Sequence, residues 1–170
     1  MVQEVLKRLP NVHLSVSATT RPARPGERHG VDYYFVSPQD FARMREGGDL
    51  LEQAEVYGNL YGTPKAPVEE ALRAGRDVIL EIDIQGALNV KRALPRSILV
   101  FIEPPSIDAL MTRLKRRGTE DAAALQERVR AAYEEVKAKG LYDHIVVNDR
   151  LEDAVEQVVR ILEGAAQSKG

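Results

Sequence analysis

The sequence predicts an α/β fold with an antiparallel element set into it. From residue 76 onward, short β-branched apolar runs alternate with helical patterns, at 77–82, 84–93, 97–102, 106–117, 122–138, 145–147 and 151–163. That alternation is the signature of a parallel sheet with flanking helices. Residues 31–63 break the rhythm with consecutive strand-like runs and turns, which read as an antiparallel insert on the α/β core. A chain of 170 residues with 44% hydrophobic content is long enough for one full domain with its own core.

The elements follow from local chemistry. Residues 2–9 read as the end of a helix stopped by Pro10 and Asn11. Residues 12–17 alternate apolar and polar, as a strand does. Residues 18–30 form a loop rich in Pro, Gly and Arg, and 31–36 a β-rich run. Ser37 caps a helix with Pro38 in its first turn and Gly47-Gly48 at its end. Strands at 50–57 and 60–63 flank Gly58-Asn59, which reads as a hairpin turn. Residues 64–74 are helical and stop at Gly75. The runs 77–82 and 97–102 are apolar enough to be buried strands. Ser106 opens a helix with a basic end, Arg113, Lys115, Arg116 and Arg117, which Gly118 breaks.

Composition excludes several classes. A formal net charge of −2 leaves no global basic field for nucleic acid or a membrane surface. With no cysteine, the chain has neither disulfides nor thiolate metal sites. His13, His29 and His144 show no metal-ligand spacing. No apolar run nears the roughly 18 residues of a membrane span. Glu4, Lys7 and Arg8 interrupt any signal-peptide core, so a cytoplasmic protein is expected.

The segment Ser15-Val16-Ser17-Ala18-Thr19-Thr20-Arg21-Pro22-Ala23-Arg24-Pro25-Gly26-Glu27 leaves the end of a strand, where α/β proteins bind ligands. Two guanidinium forks on a proline-stiffened loop suit a phosphate. Taken alone, Arg21 and Arg24 would read as a solvated basic turn, and Tyr33 and Tyr61 as strand-face packing. A carboxylate such as Glu52 can accept two adjacent N–H donors side by side, and hydroxyls from Ser17 and Thr63 can donate to a carbonyl beside them. Taken alone, Glu52 would read as an exposed strand residue. Asp83, after a buried strand, suits a carboxylate that organises magnesium through water, and equally a cap for the next helix.

These stretches, with Gly30-Val31-Asp32-Tyr33-Tyr34-Phe35-Val36, Tyr57-Gly58-Asn59-Leu60-Tyr61-Gly62-Thr63, Leu80-Glu81-Ile82-Asp83-Ile84-Gln85-Gly86, Arg116-Arg117-Gly118-Thr119 and Val146-Val147-Asn148-Asp149, resemble the guanylate kinases in order and spacing across essentially the whole chain. The resemblance implies a P-loop-kinase-like parallel sheet with a GMP-binding insert at 18–75, a helical lid at 113–130, and an α/β core at 76–112 and 131–170, all in one domain over 1–170. It implies that Arg21, Arg24, Tyr33 and Tyr61 hold the GMP phosphate, that Ser17, Glu52 and Thr63 read guanine, and that Glu81 and Asp83 lie near phosphates and magnesium. The family often has Asp where this chain has Glu81. It further implies that Arg117 and Arg128 close on ATP, that Arg117, Arg128 and Asp83 serve catalysis, and that Asn148 lies near adenine. GMP and ATP are the implied substrates, with Mg2+ accompanying ATP.

One part of the pattern is missing. The glycine-rich G-x-x-x-x-G-K-[ST] loop occurs nowhere, nor does any Gly-Lys pair, although this class needs it around the ATP phosphates. In the resemblance, residues 1–9 match the latter part of the helix that follows the loop. The chain then starts after the first strand and the loop, and the preferred explanation is an internal methionine taken as the start. Its expected consequences are strands with unpaired backbone groups and impaired activity. The rival expectation is a non-catalytic guanylate-kinase-like module that binds GMP or a phosphopeptide. A kinase for another base is argued against by Glu52 and the two hydroxyls.

Overall fold

A computed structural model of the chain describes residues 1–116 and 137–167. The helix expected over 122–138 lies outside these residues except at its last two positions. In chain order the elements are α1 (Val2–Arg8), β1 (Val12–Leu14), β2 (Ala18–Thr19), β3 (Tyr34–Phe35), α2 (Pro38–Glu46), β4 (Leu50–Val56), β5 (Asn59–Pro64), α3 (Lys65–Arg73), β6 (Asp77–Ile79), α4 (Ile84–Ala93), β7 (Val100–Glu103), α5 (Ile107–Arg116), a 3-10 turn at Lys139–Leu141, β8 (His144–Val147) and α6 (Leu151–Gln167). By packing they form two units, Leu9–Ser97 and Met1–Arg8 with Ile98–Gly170.

In the first of these, β1 and β6 pair in parallel, with Leu14 opposite Ile79. A second sheet has the order β3-β2-β5-β4. Its pairs β2–β5 and β4–β5 are antiparallel, as the run of strands and turns predicts, but β3 joins β2 in parallel. The long loop between β2 and β3 makes that possible, since parallel neighbours cannot be joined by a tight turn. Ser37 Oγ accepts from Asp40 N at 3.0 Å and Pro38 opens α2, so the predicted cap is in place. Phe41, on the inward face of α2, is fully buried.

The β4–β5 hairpin turns one residue earlier than its sequence suggests. Val56 pairs with Asn59, so the two loop residues are Tyr57 and Gly58, with φ of 49° and 73°. Positive φ at both positions is the type I′ geometry that matches strand twist. Asn59, first residue of β5, donates its side-chain N–H to the Tyr57 carbonyl at 3.1 Å.

In the other unit, β7 and β8 pair in parallel from Val100–His144 to Glu103–Val147. α6 packs on β8 and α1 on α6, and Val5, Leu99, Phe101, Val146, Ala154, Val155 and Val159 form the core. The predicted parallel pairing is thus present, as two separate two-stranded pairs among the described residues. The strands are shorter and wetter than continuous apolar runs suggest. Val78 and Ile79 are only half-buried, and Ile145 and Val147 are exposed. A strand with one hydrogen-bonded neighbour has less cover than one in the middle of a wide sheet.

Candidate functional site

Glu52 stands on β4, where burial alternates so that Glu52 and Ala54 face inward and Gln53 and Glu55 outward. A register shift between Leu50 and Glu52 sets Glu52 opposite Thr63 of β5, and such irregularities re-aim side chains beside functional sites. Glu52 is 7% exposed and Thr63 0%, which decides against a surface glutamate. The Thr63 hydroxyl meets Glu52 Oε1 at 2.6 Å; with the carboxyl ionised, the hydroxyl is the donor. Its one proton is therefore directed at Glu52 rather than outward in this state. Burial pushes the Glu52 carboxyl above the ordinary glutamate range; the Thr63 hydrogen bond works against that, and the charge of Asp83 adds to it.

α4 packs across β4 and presents Gly86 to the same carboxylate. A Cβ at Gly86 would stand 2.6 Å from Glu52 Oε2, so only glycine leaves the carboxylate where it is. Asp83 caps α4, its Oδ1 accepting from Gly86 N at 2.7 Å. The local cap anticipated at Asp83 is therefore real. Gly86 has no local signal, because the atom it must avoid is 34 residues away in sequence.

The second cluster lies at the arginine loop. Thr19 Oγ1 donates to the Leu60 carbonyl at 3.0 Å and accepts from Arg21 N at 3.1 Å, while Thr20 Oγ1 accepts from Leu60 N at 2.9 Å. The two threonines thus fasten the start of the loop to β5. The Arg21 guanidinium carbon lies 5.4 Å from the centre of the Tyr33 ring and 5.8 Å from that of Phe35. Tyr33 and Tyr61 meet edge to face at 6.0 Å. Arg21 Nη2 donates to both oxygens of Glu27, which raises the guanidinium further above its usual range, with Tyr61 contributing. Burial raises the Tyr33 hydroxyl above its ordinary range, Tyr61 and Glu81 add to the rise, and Arg21 opposes it. The structure therefore brings Arg21, Tyr33 and Tyr61 together. The Arg24 side chain is exposed, with its backbone N–H on Glu27 Oε2 at 2.7 Å. Ser17 is half-buried just before β2, its carbonyl accepting from Tyr34 N at 2.8 Å.

Glu81 is exposed between β6 and α4. Asn148 belongs to the other unit, where its N–H donates to the Glu103 carbonyl at 2.7 Å. Arg113 of α5 donates to the Asn148 carbonyl at 2.8 Å and lies 3.5 Å from that of Asp149. A residue that reads as part of a solvated helix end thus pins the turn after β8. Arg117 and Arg128 lie outside the described residues. Among the described residues no group of three or more His, Cys, Asp or Glu could hold a metal ion. Magnesium is usually held by substrate phosphates with one or two carboxylates rather than by an all-protein cage, and Asp83 is the carboxylate that stands at the start of α4.

A family model described as guanylate kinase matches residues 1–165. The chain belongs to the guanylate kinase family. It is 49% identical over 162 residues to the guanylate kinase of Desulfitobacterium hafniense, covering 95% of this chain and 81% of that one. It is 50% identical over 160 residues to that of Carboxydothermus hydrogenoformans, covering 94% and 78%. The crystal structure of guanylate kinase from Anaplasma phagocytophilum superposes with a TM-score of 0.82 at 34% identity, covering 96% of this chain and 79% of that chain. Guanylate kinases are ATP:GMP phosphotransferases. A guanylate kinase must tell guanine from adenine and hold a nucleotide phosphate, and the two clusters have the chemistry for these tasks. Among the described residues no helix is long and apolar enough to cross a membrane.

Proposed function

We propose that this chain is an ATP:GMP phosphotransferase of the cytoplasm that seats guanine at Glu52 and the GMP phosphate at the arginine loop. The observation that carries the reading is the buried Glu52–Thr63 pair with Gly86 against it. Guanine offers N1–H and N2–H side by side, and an ionised carboxylate accepts both. Adenine lacks that pair and would leave a buried charge unmatched, a mismatch worth several powers of ten in discrimination. Thr63 orients the carboxylate, and Ser17 supplies a hydroxyl for the guanine O6. Arg21 and Arg24, with the hydroxyls of Tyr33 and Tyr61, hold the phosphate. A module that only held phosphopeptides would use the arginine loop but would have no reason to bury Glu52.

The transfer needs no covalent intermediate on the protein, since GMP supplies the attacking oxygen. Positioning and charge stabilisation are what the chain contributes. Asp83 would hold magnesium through water, and the ion supplies charge neutralisation on the ATP phosphates when bound. Arg117 and Arg128, in the lid at 113–130, would bring positive charge to the transferring group, and Asn148 would meet adenine. Residues 18–75 serve as the GMP insert and 76–112 with 131–170 as the α/β core. Calorimetry tests the central assignment: GMP should bind in preference to AMP without ATP present, and equal binding of the two would end it.

A further inference from the structure

The arginine loop is built around a carboxylate to which the proposed chemistry gives no task. Glu27 Oε1 and Oε2 accept from Arg21 Nη2 at 2.9 and 3.0 Å, and Oε2 also accepts from the Arg24 N–H at 2.7 Å. The backbone is shaped to put it there. Glu27 N–H returns to the Arg24 carbonyl at 3.0 Å, closing a turn with Pro25 second and Gly26 third at φ 88°. Proline followed by a positive-φ glycine is the type II pattern. Arg21 is fixed from its own side as well. Its Nη1 donates to the Pro22 carbonyl at 2.6 Å, and its guanidinium lies by the Tyr33 and Phe35 rings. The two side chains are 12% and 20% exposed, unlike the solvated ion pairs that contribute little. The hydrogen bonds from Arg21 and then from the Arg24 N–H hold the Glu27 carboxyl below the usual glutamate range.

A carboxylate here has two opposed effects on an arriving phosphate. Its charge repels the anion. Its hold on Arg21 removes the cost of ordering a long side chain at the moment of binding. A small anion that turns freely gains little from orientation, so for it the charge decides. A phosphate tethered to a seated base gains much from a guanidinium already in place. We infer that Glu27 is the positioning residue of the phosphate end, presetting Arg21 and the Arg24 backbone so that the loop receives a phosphate attached to bound guanine in preference to a free anion. This rests on the phosphate role proposed for Arg21.

Glu27→Gln tests it. The amide keeps the shape and can still accept from the Arg24 N–H, but loses the charge that holds Arg21. Calorimetry on residues 1–170 compares GMP, guanosine and inorganic phosphate on wild type and variant. GMP affinity should fall about tenfold, guanosine should be unchanged, and inorganic phosphate should bind equally or more tightly. Unchanged or tighter GMP binding would make Glu27 a competing charge and overturn the inference alone. Equal losses for GMP and guanosine would also overturn it, as general damage to the fold. If wild type binds GMP no better than guanosine, the phosphate role of Arg21 and this inference fall together. Nitrogen NMR of wild type gives an answer that does not depend on the variant folding. The Arg21 Nη signals should show hindered rotation without ligand and keep it with GMP bound; averaged signals in either state would overturn the positioning role.

Discussion

Alanine at Gly86 should separate guanine recognition from stability. The new Cβ would lie 2.6 Å from Glu52 Oε2 and 3.2 Å from both Glu52 Cδ and Asp83 Oδ1. Oε2 would have to retreat by 0.8 Å, from 2.6 to the 3.4 Å of ordinary contact. It cannot swing freely, because Oε1 is held by Thr63 at 2.6 Å and the side chain is buried. Alanine in a helix is favoured over glycine by about 1 kcal/mol, while overpacking costs about 1–3 kcal/mol. The expected net loss of stability is about 0–2 kcal/mol. A contact misplaced by nearly 1 Å can cost about a hundredfold where geometry matters, so GMP and guanosine should both weaken by about tenfold to a hundredfold. Urea unfolding and calorimetry on the same samples measure the two effects. A variant that binds GMP within about twofold of wild type would show that the Glu52 carboxylate does not sit against guanine.

Glu52→Gln should cost GMP about 2–4 kcal/mol, because the amide sets a donor against a guanine donor; a loss under about twofold would refute the pocket. Because burial raises the Glu52 pKa, guanosine affinity should weaken as pH falls through that raised value, when the acceptor pair is lost to a proton. Glu52→Gln should abolish this pH dependence, and guanosine is the right probe because a nucleotide phosphate titrates near pH 6 itself. For folding the sign is opposite. The ionised form carries a penalty that is absent below the ordinary glutamate pKa and grows as pH rises towards the raised one, so the variant should gain stability relative to wild type over that interval in urea titrations. Arg21→Ala and Arg24→Ala should each weaken GMP while leaving guanosine nearly unchanged, and equal losses for both ligands would refute the phosphate assignment. Arg117→Ala and Arg128→Ala should lower turnover at saturating substrates in a coupled assay of ADP production, with little change in GMP affinity, because the role proposed for them is in the transition state.

What the sequence alone determines here is mostly what depends on neighbours a few residues apart. The cap at Ser37 with Pro38, the cap at Asp83, the order of strands and helices and the hairpin between β4 and β5 all follow from local backbone chemistry. Some members of the two clusters were legible too: Glu52 and Thr63, and Arg21, Tyr33 and Tyr61, stand in a recognisable order and meet in the structure. Alternation along β4 shows two faces but does not say which is inward. Packing of α4 against β4 decided that, and with it the burial of Glu52. The same packing turned Gly86 from a helix residue into the wall behind a carboxylate. Tertiary pairing likewise made β3 parallel to β2 and moved the hairpin loop to Tyr57-Gly58. The closure of Glu27 on Arg21, six residues apart in one loop, is by contrast local, and the Pro25-Gly26 signal for its turn was present in the sequence. The burial of Glu52, the close approach of Gly86 and the β2–β3 pairing depend on atoms brought together from separate elements, whose distances a linear pattern with a period of 2 or 3.6 residues does not contain.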